Sequence, residues 1–155
     1  MMTAFVLPLV IGLVAGLRSM TAPAAVSWAS RAGWLDVSST PLAFFGYAFT
    51  PWVFTALALG ELVIDQLPTT PSRTETMPFG TRIVVGALCG GAIGASGGAL
   101  VTGLFAGIAG ATLGTLGGHA LRARLAAAFG RDRPAALIED AVAIGGALLV
   151  MVALP

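Results

Sequence analysis

RIVVGALCGGAIGASGGALVTGLFAGIAGATLGTLGGHAL, residues Arg82–Leu121, decides the fold class. Forty residues with one basic group and no acid read as membrane-embedded helix. As one helix the stretch would reach about 60 Å, twice the bilayer core of about 30 Å. It therefore divides near Ser96-Gly97-Gly98 into two spans joined by a tight turn. Gly86, Gly90, Gly94 and Gly98 recur at every fourth position, which stacks them on one helix face. Gly103 with Gly107, and Gly110 with Gly114 and Gly118, repeat the pattern in the second half. Small-xxx-small faces let helix backbones approach closely, within one chain or between chains. No strand-turn-helix pattern surrounds these glycines, so they do not form a dinucleotide-binding loop.

The rest of the chain agrees with that class. Of its 155 residues 57% are hydrophobic and 10% charged, with a mean hydropathy of +0.93. A soluble domain needs about 25% charged residues to cover its surface. All eight basic residues are arginine and the formal charge is +1, which leaves no footprint for nucleic acid. Cys89 is the only cysteine and His119 the only histidine, so neither a disulfide nor a multi-histidine metal centre can form within the chain, and no cofactor is expected.

The expected architecture is an all-α polytopic bundle in one integral membrane domain, residues 1–155, with about five spans. These are Thr3–Ala22, Pro41–Gln66, Arg82–Gly97, Ala99–Leu121 and Pro134–Leu154. The first segment lacks the basic start of a secretory signal and reads as a membrane anchor. Ser39-Thr40 supply N-cap chemistry for the second span, and Pro51 should kink it. Asp132 should cap the fifth. Pro23–Leu35, with two tryptophans and one arginine, reads as a short interfacial helix, with a re-entrant half-helix as the rival. Five spans put Arg73, Arg82, Arg122, Arg124, Arg131 and Arg133 on the side of the N-terminus, and Arg18 and Arg31 on the other. The positive-inside rule then predicts a cytoplasmic N-terminus. Phe44, Phe45, Tyr47, Phe49 and Trp52 would form an outer aromatic belt. Helices built on stacked glycines favour a homo-oligomer or partner membrane subunits.

Charges at membrane depth are the candidate functional groups. Arg18 lies one turn inside the first span, with the hydroxyls of Ser19 and Thr21 beside it. Glu61 and Asp65 share a helix face four residues apart. Glu139 and Asp140 lie at the start of the last span, where the helix dipole favours acids. The bland reading is an interfacial salt-bridge network with Arg82, Arg122 and Arg124. The sharper one is a polar path for cations or protons, interrupted because Arg18 falls on the opposite side from the acids. Within Leu67–Gly80, three prolines and several hydroxyls form a connector, or else a gate.

The segments Gly16-Leu17-Arg18-Ser19-Met20-Thr21-Ala22-Pro23, Glu61-Leu62-Val63-Ile64-Asp65-Gln66-Leu67-Pro68, Arg82-Ile83-Val84-Val85-Gly86-Ala87 and Leu137-Ile138-Glu139-Asp140 occur in this order. Together they resemble the small bacterial multi-pass membrane proteins of the domain of unknown function 4126 family. The resemblance covers nearly the whole chain. It departs at Gln66, where the family pattern commonly has lysine. It implies a compact helical membrane protein with polar positions at Arg18, Glu61, Asp65, Glu139 and Asp140, and it carries no established activity. The leading expectation is an oligomeric channel or transporter for an ion or small polar solute. A structural or accessory subunit of a larger membrane complex is the alternative. A lipid-phosphate enzyme ranks last, because no nucleophile–base pair or phosphate loop is present.

Overall fold

A computed structural model describes residues 2–64 and 76–154. Among them are six α-helices, one short 3₁₀ turn at Ala43–Gly46 and no strand. The helices are α1 (Met2–Leu17), α2 (Thr21–Arg31), α3 (Thr50–Ile64), α4 (Thr76–Ser96), α5 (Leu100–Phe129) and α6 (Asp132–Val152). By length and composition α4, α5 and α6 can each cross a membrane, whereas α1 and α3 are shorter apolar helices.

The expected first span ends early. A helix continued through Ala22 would drive the Pro23 ring against the Ser19 carbonyl. The last backbone bond into α1 runs from Arg18 N–H to Val14, and the first into α2 from Ala24 N–H to Met20. Pro23 thus sits in the first turn of α2, where its missing N–H costs nothing. Instead of lying at an interface, α2 buries Thr21, Ala22, Pro23, Ala25, Val26, Ser27 and Ala29. It folds back along α1, because Ile11 shares a small void with Ala25, Val26, Ala29 and Val150.

The expected second span is also divided. Thr40 does not start a helix. Its hydroxyl donates to the Val37 carbonyl (2.8 Å) and accepts from Leu42 N–H (3.1 Å), which makes Pro41 part of a turn. Helix α3 begins at Thr50, so Pro51 occupies its first turn and kinks nothing. Phe45 and Leu42 are buried, whereas Tyr47, Phe49 and Trp52 are exposed, so only part of the aromatic cluster faces outward. In the preceding loop the hydroxyl and amide of Ser38 both donate to Asp36, which holds that carboxyl below its ordinary range.

The turn between α4 and α5 falls where the glycines placed it. Gly98 adopts φ +72°, Ala99 N–H reaches the Gly94 carbonyl at 2.7 Å, and Gly98 N–H reaches Ala95 at 2.9 Å. These are the two bonds of a Schellman motif, which a left-handed glycine closes. The α5–α6 turn differs from expectation. Asp132 caps no helix end and instead takes a forked ion pair from Arg122, Nε to Oδ1 at 2.9 Å.

The seam of the bundle is made by α1, α4 and α5. A β-carbon built on Gly90 would come within 2.8 Å of Gly107 Cα, one on Gly94 within 2.8 Å of Gly103 Cα, and one on Gly86 within 2.6 Å of Ala111 Cβ. The numbers fall on α4 as they rise on α5, so these two helices are antiparallel. On the other side, a β-carbon on Gly12 would reach Gly107 Cα at 2.9 Å and one on Gly16 would reach Gly114 Cα at 2.8 Å. Here both numbers rise, and α1 runs parallel to α5. The Met2 end of α1 therefore lies at the Gly98 end of the bundle, opposite Arg122, Arg124, Arg131 and Arg133. That reverses the expected grouping of the arginines with the N-terminus, because the fold-back of α2 adds a pass that five spans lack.

Candidate functional site

The break between α1 and α2 lies inside the bundle and opens backbone groups at two helix ends. The last carbonyls of α1 and the first N–H groups of α2 have no helical partners of their own. Charged side chains from α4 and α3 meet them, and one from α6 meets Arg18 between the two helices.

Arg82, six residues into α4 and 5% exposed, donates from Nη1 to the carbonyls of Gly16 and Leu17, both at 2.8 Å. A cation at the carbonyl end of α1 meets the negative end of its dipole. Glu61 of α3 does the converse at α2. Its Oε1 accepts from Ser19 N–H and its Oε2 from Met20 N–H, each at 2.8 Å. Arg82 and Glu61 also approach each other, Nη2 to Oε1 at 3.6 Å. Arg18, wholly buried, turns to α6 and donates from Nε to Asp140 Oδ1 at 2.6 Å, with Nη2 closing the ion pair. Burial on this scale requires paired charges. Thr115 of α5 completes the wall; its hydroxyl donates to Ala111 at 2.8 Å and lies 3.3 Å from the Gly16 carbonyl.

The predicted site residues thus separate. Arg18, Ser19, Glu61 and Asp140 meet at the break, and Thr21 is buried as the first residue of α2. The obstacle placed between Arg18 and the acids is removed, because the fold-back brings them to one level. Glu139 points elsewhere and accepts from Arg122 Nη1 at 3.4 Å, nearer the α5–α6 turn. Asp65 lies outside the described residues, as does most of the proline-rich connector. Of the glycines, Gly86, Gly90, Gly94, Gly103, Gly107, Gly110 and Gly114 face other backbones at the seam. Gly98 forms the turn, and Gly118 is buried in α5. His119 is exposed and Cys89 buried.

Arg82, Thr115, Gly12 and Gly16 were not among the predicted site residues. Arg82 was placed at the interface, although six residues of helix precede it. Gly12 and Gly16 carry the same four-residue spacing as the ladders and pack α1 on α5. Among the described residues, no three His, Cys, Asp or Glu side chains are grouped to hold a metal ion. No family model, curated protein or solved structure matches the chain.

Proposed function

We propose that this chain is a small membrane channel or transporter for an ion or small polar solute, acting through the α1–α2 break. One observation carries the reading: the chain reverses between two helices within the bundle, and the opened ends of both are clasped by charged side chains. Irregular backbone at membrane depth is tolerated where protein buries it or where it lines a cavity, and helix ends opened inside the protein form the ion and substrate sites of secondary transporters. In this reading Glu61 is the mobile element. When its carboxylate moves off the Ser19 and Met20 amides, two N–H donors and the Arg82 guanidinium become available to a solute.

The arginine-rich end, with Arg122, Arg124, Arg131 and Arg133, is proposed to face the cytoplasm of a bacterial inner membrane by the positive-inside rule. With α1 running as described, the N-terminus then faces the opposite side. The resemblance to the domain of unknown function 4126 family belongs to the same proposal. A homo-oligomer or a partner subunit would dock on outer faces, since the glycine faces are occupied within the chain.

The alternative, a structural or accessory subunit, is favoured by the matched charges: Arg18 with Asp140, and Arg82 with Glu61. Flux from proteoliposomes separates the two. Wild-type protein should pass at least one of K⁺, Na⁺, H⁺ and Cl⁻, and Glu61→Gln should abolish that flux while helicity is retained. Normal flux through Glu61→Gln would remove Glu61 from the path, and no flux through folded wild type would favour the structural role.

A further inference from the structure

Below Leu17 the bundle loses a helix. Helix α1 ends there and the chain turns back into α2, while α5 continues to Phe129 and α6 begins at Asp132. Beside α1, between α5 and α6, lies an open groove of about 340 Å³. Leu17 closes its upper end, Leu113, Gly117 and Leu125 line one wall, and Ile138 and Val142 the other. Arg122 and Glu139 stand at its polar end.

We infer that this groove holds one acyl chain of an anionic phospholipid, whose phosphate is met by the arginines of the α5–α6 turn. Three observations converge. The groove follows α5 from Leu113 to Leu125, about 18 Å of helix, close to the roughly 15 Å of a single leaflet. One wall carries a glycine: a β-carbon on Gly117 would meet nothing within 4 Å, so no described part of the chain fills that space. The α5–α6 turn next to its polar end carries further cations. Arg124, Arg131 and Arg133 are exposed around the turn and make no ion pair among the described residues, while Asp132 and Glu139 are already engaged by Arg122. Basic pockets between membrane helices on the cytoplasmic side suit anionic headgroups. A neutral lipid would fill the groove equally well but leave those three cations unmatched. This inference stands apart from the transport reading and survives its failure.

Native mass spectrometry of the purified full chain in mild detergent tests it, with phosphatidylglycerol and phosphatidylcholine of identical acyl chains as probes. Wild type should retain phosphatidylglycerol at the lower lipid concentration. Gly117→Leu, which fills the groove, should weaken retention of both lipids about tenfold or more. Combined Arg124→Gln, Arg131→Gln and Arg133→Gln should weaken phosphatidylglycerol by about fivefold per arginine and leave phosphatidylcholine unchanged. The inference is overturned if wild type holds both lipids equally. It also fails if helical Gly117→Leu still binds phosphatidylglycerol normally, or if soluble glycerol phosphate displaces that lipid, which would mark a headgroup-only site. Should Gly117→Leu not fold, the glycerol phosphate competition decides whether the groove contributes, and the exposed arginine variant whether the charges do.

Discussion

Where Gly90 of α4 faces Gly107 of α5 the two helices touch backbone to backbone, whereas at the tip of α1 the helices α3, α4 and α6 each arrive through a charged side chain. The first region is held by shape. Without water to drive apolar surfaces together, helices in lipid associate through close packing, and any atom inserted between them must push a backbone aside. The second region is held by matched charge, and its cost lies in taking guanidinium and carboxylate groups out of water. One tolerates no added volume. The other tolerates no missing partner.

Substitutions can break or sharpen that contrast. Gly107 is the severest test, since α4 presses on it from one side and Gly12 of α1 from the other. Gly107→Leu should cost at least about 4 kcal/mol and leave no folded protein in detergent. A cooperative unfolding transition at the wild-type midpoint would show that the seam is not shape-limited. At the break, Arg18→Met should destabilise by about 3–5 kcal/mol, because it leaves Asp140 buried beside an apolar chain. Combining it with Asp140→Leu should recover most of that loss. If the double variant is no better than the single one, charge matching does not explain the pairing.

Glu61→Gln keeps one acceptor for the α2 amides and loses the charge, so a smaller loss of about 1–3 kcal/mol is expected in the same unfolding measurement. Smallest is a glycine outside the seam. A β-carbon on Gly145 would meet nothing within 4 Å, and Gly145→Ala should raise stability by up to about 1 kcal/mol through helix propensity. A loss there would extend the shape-limited region to α6.

The two regions also differed in how far the sequence disclosed them. Glycine spacing marked the contact face of α4 and α5 directly, since small residues at every fourth position lie on one side of a helix. On α5 the distinction is size, not polarity. Gly103, Gly107, Gly110 and Gly114 are buried, while Phe105, Leu113, Leu116 and Leu121 are exposed, and both sets are apolar. The break was only half visible. Pro23 announced that α1 could not continue, yet stopping and turning back look alike until tertiary packing chooses between them. Reading a stop put Arg18 across the membrane from Asp140. No local pattern could correct this, because the two residues are 122 positions apart in the chain. Arg82 was misplaced for a related reason: the turn of α4 before it, from Thr76 to Thr81, is too polar and proline-containing to read as a helix start.

That separation sets an order of assembly. Arg18 emerges with the first helix, but its carboxylate partner is not made until 122 residues later, in the last. At ribosomal rates that is roughly 6–24 s. During that interval the N-terminal hairpin has its cation and its opened helix ends but not α6 to close over them. Helix α6 acts as a latch on α1, and the break closes only after that helix has been made.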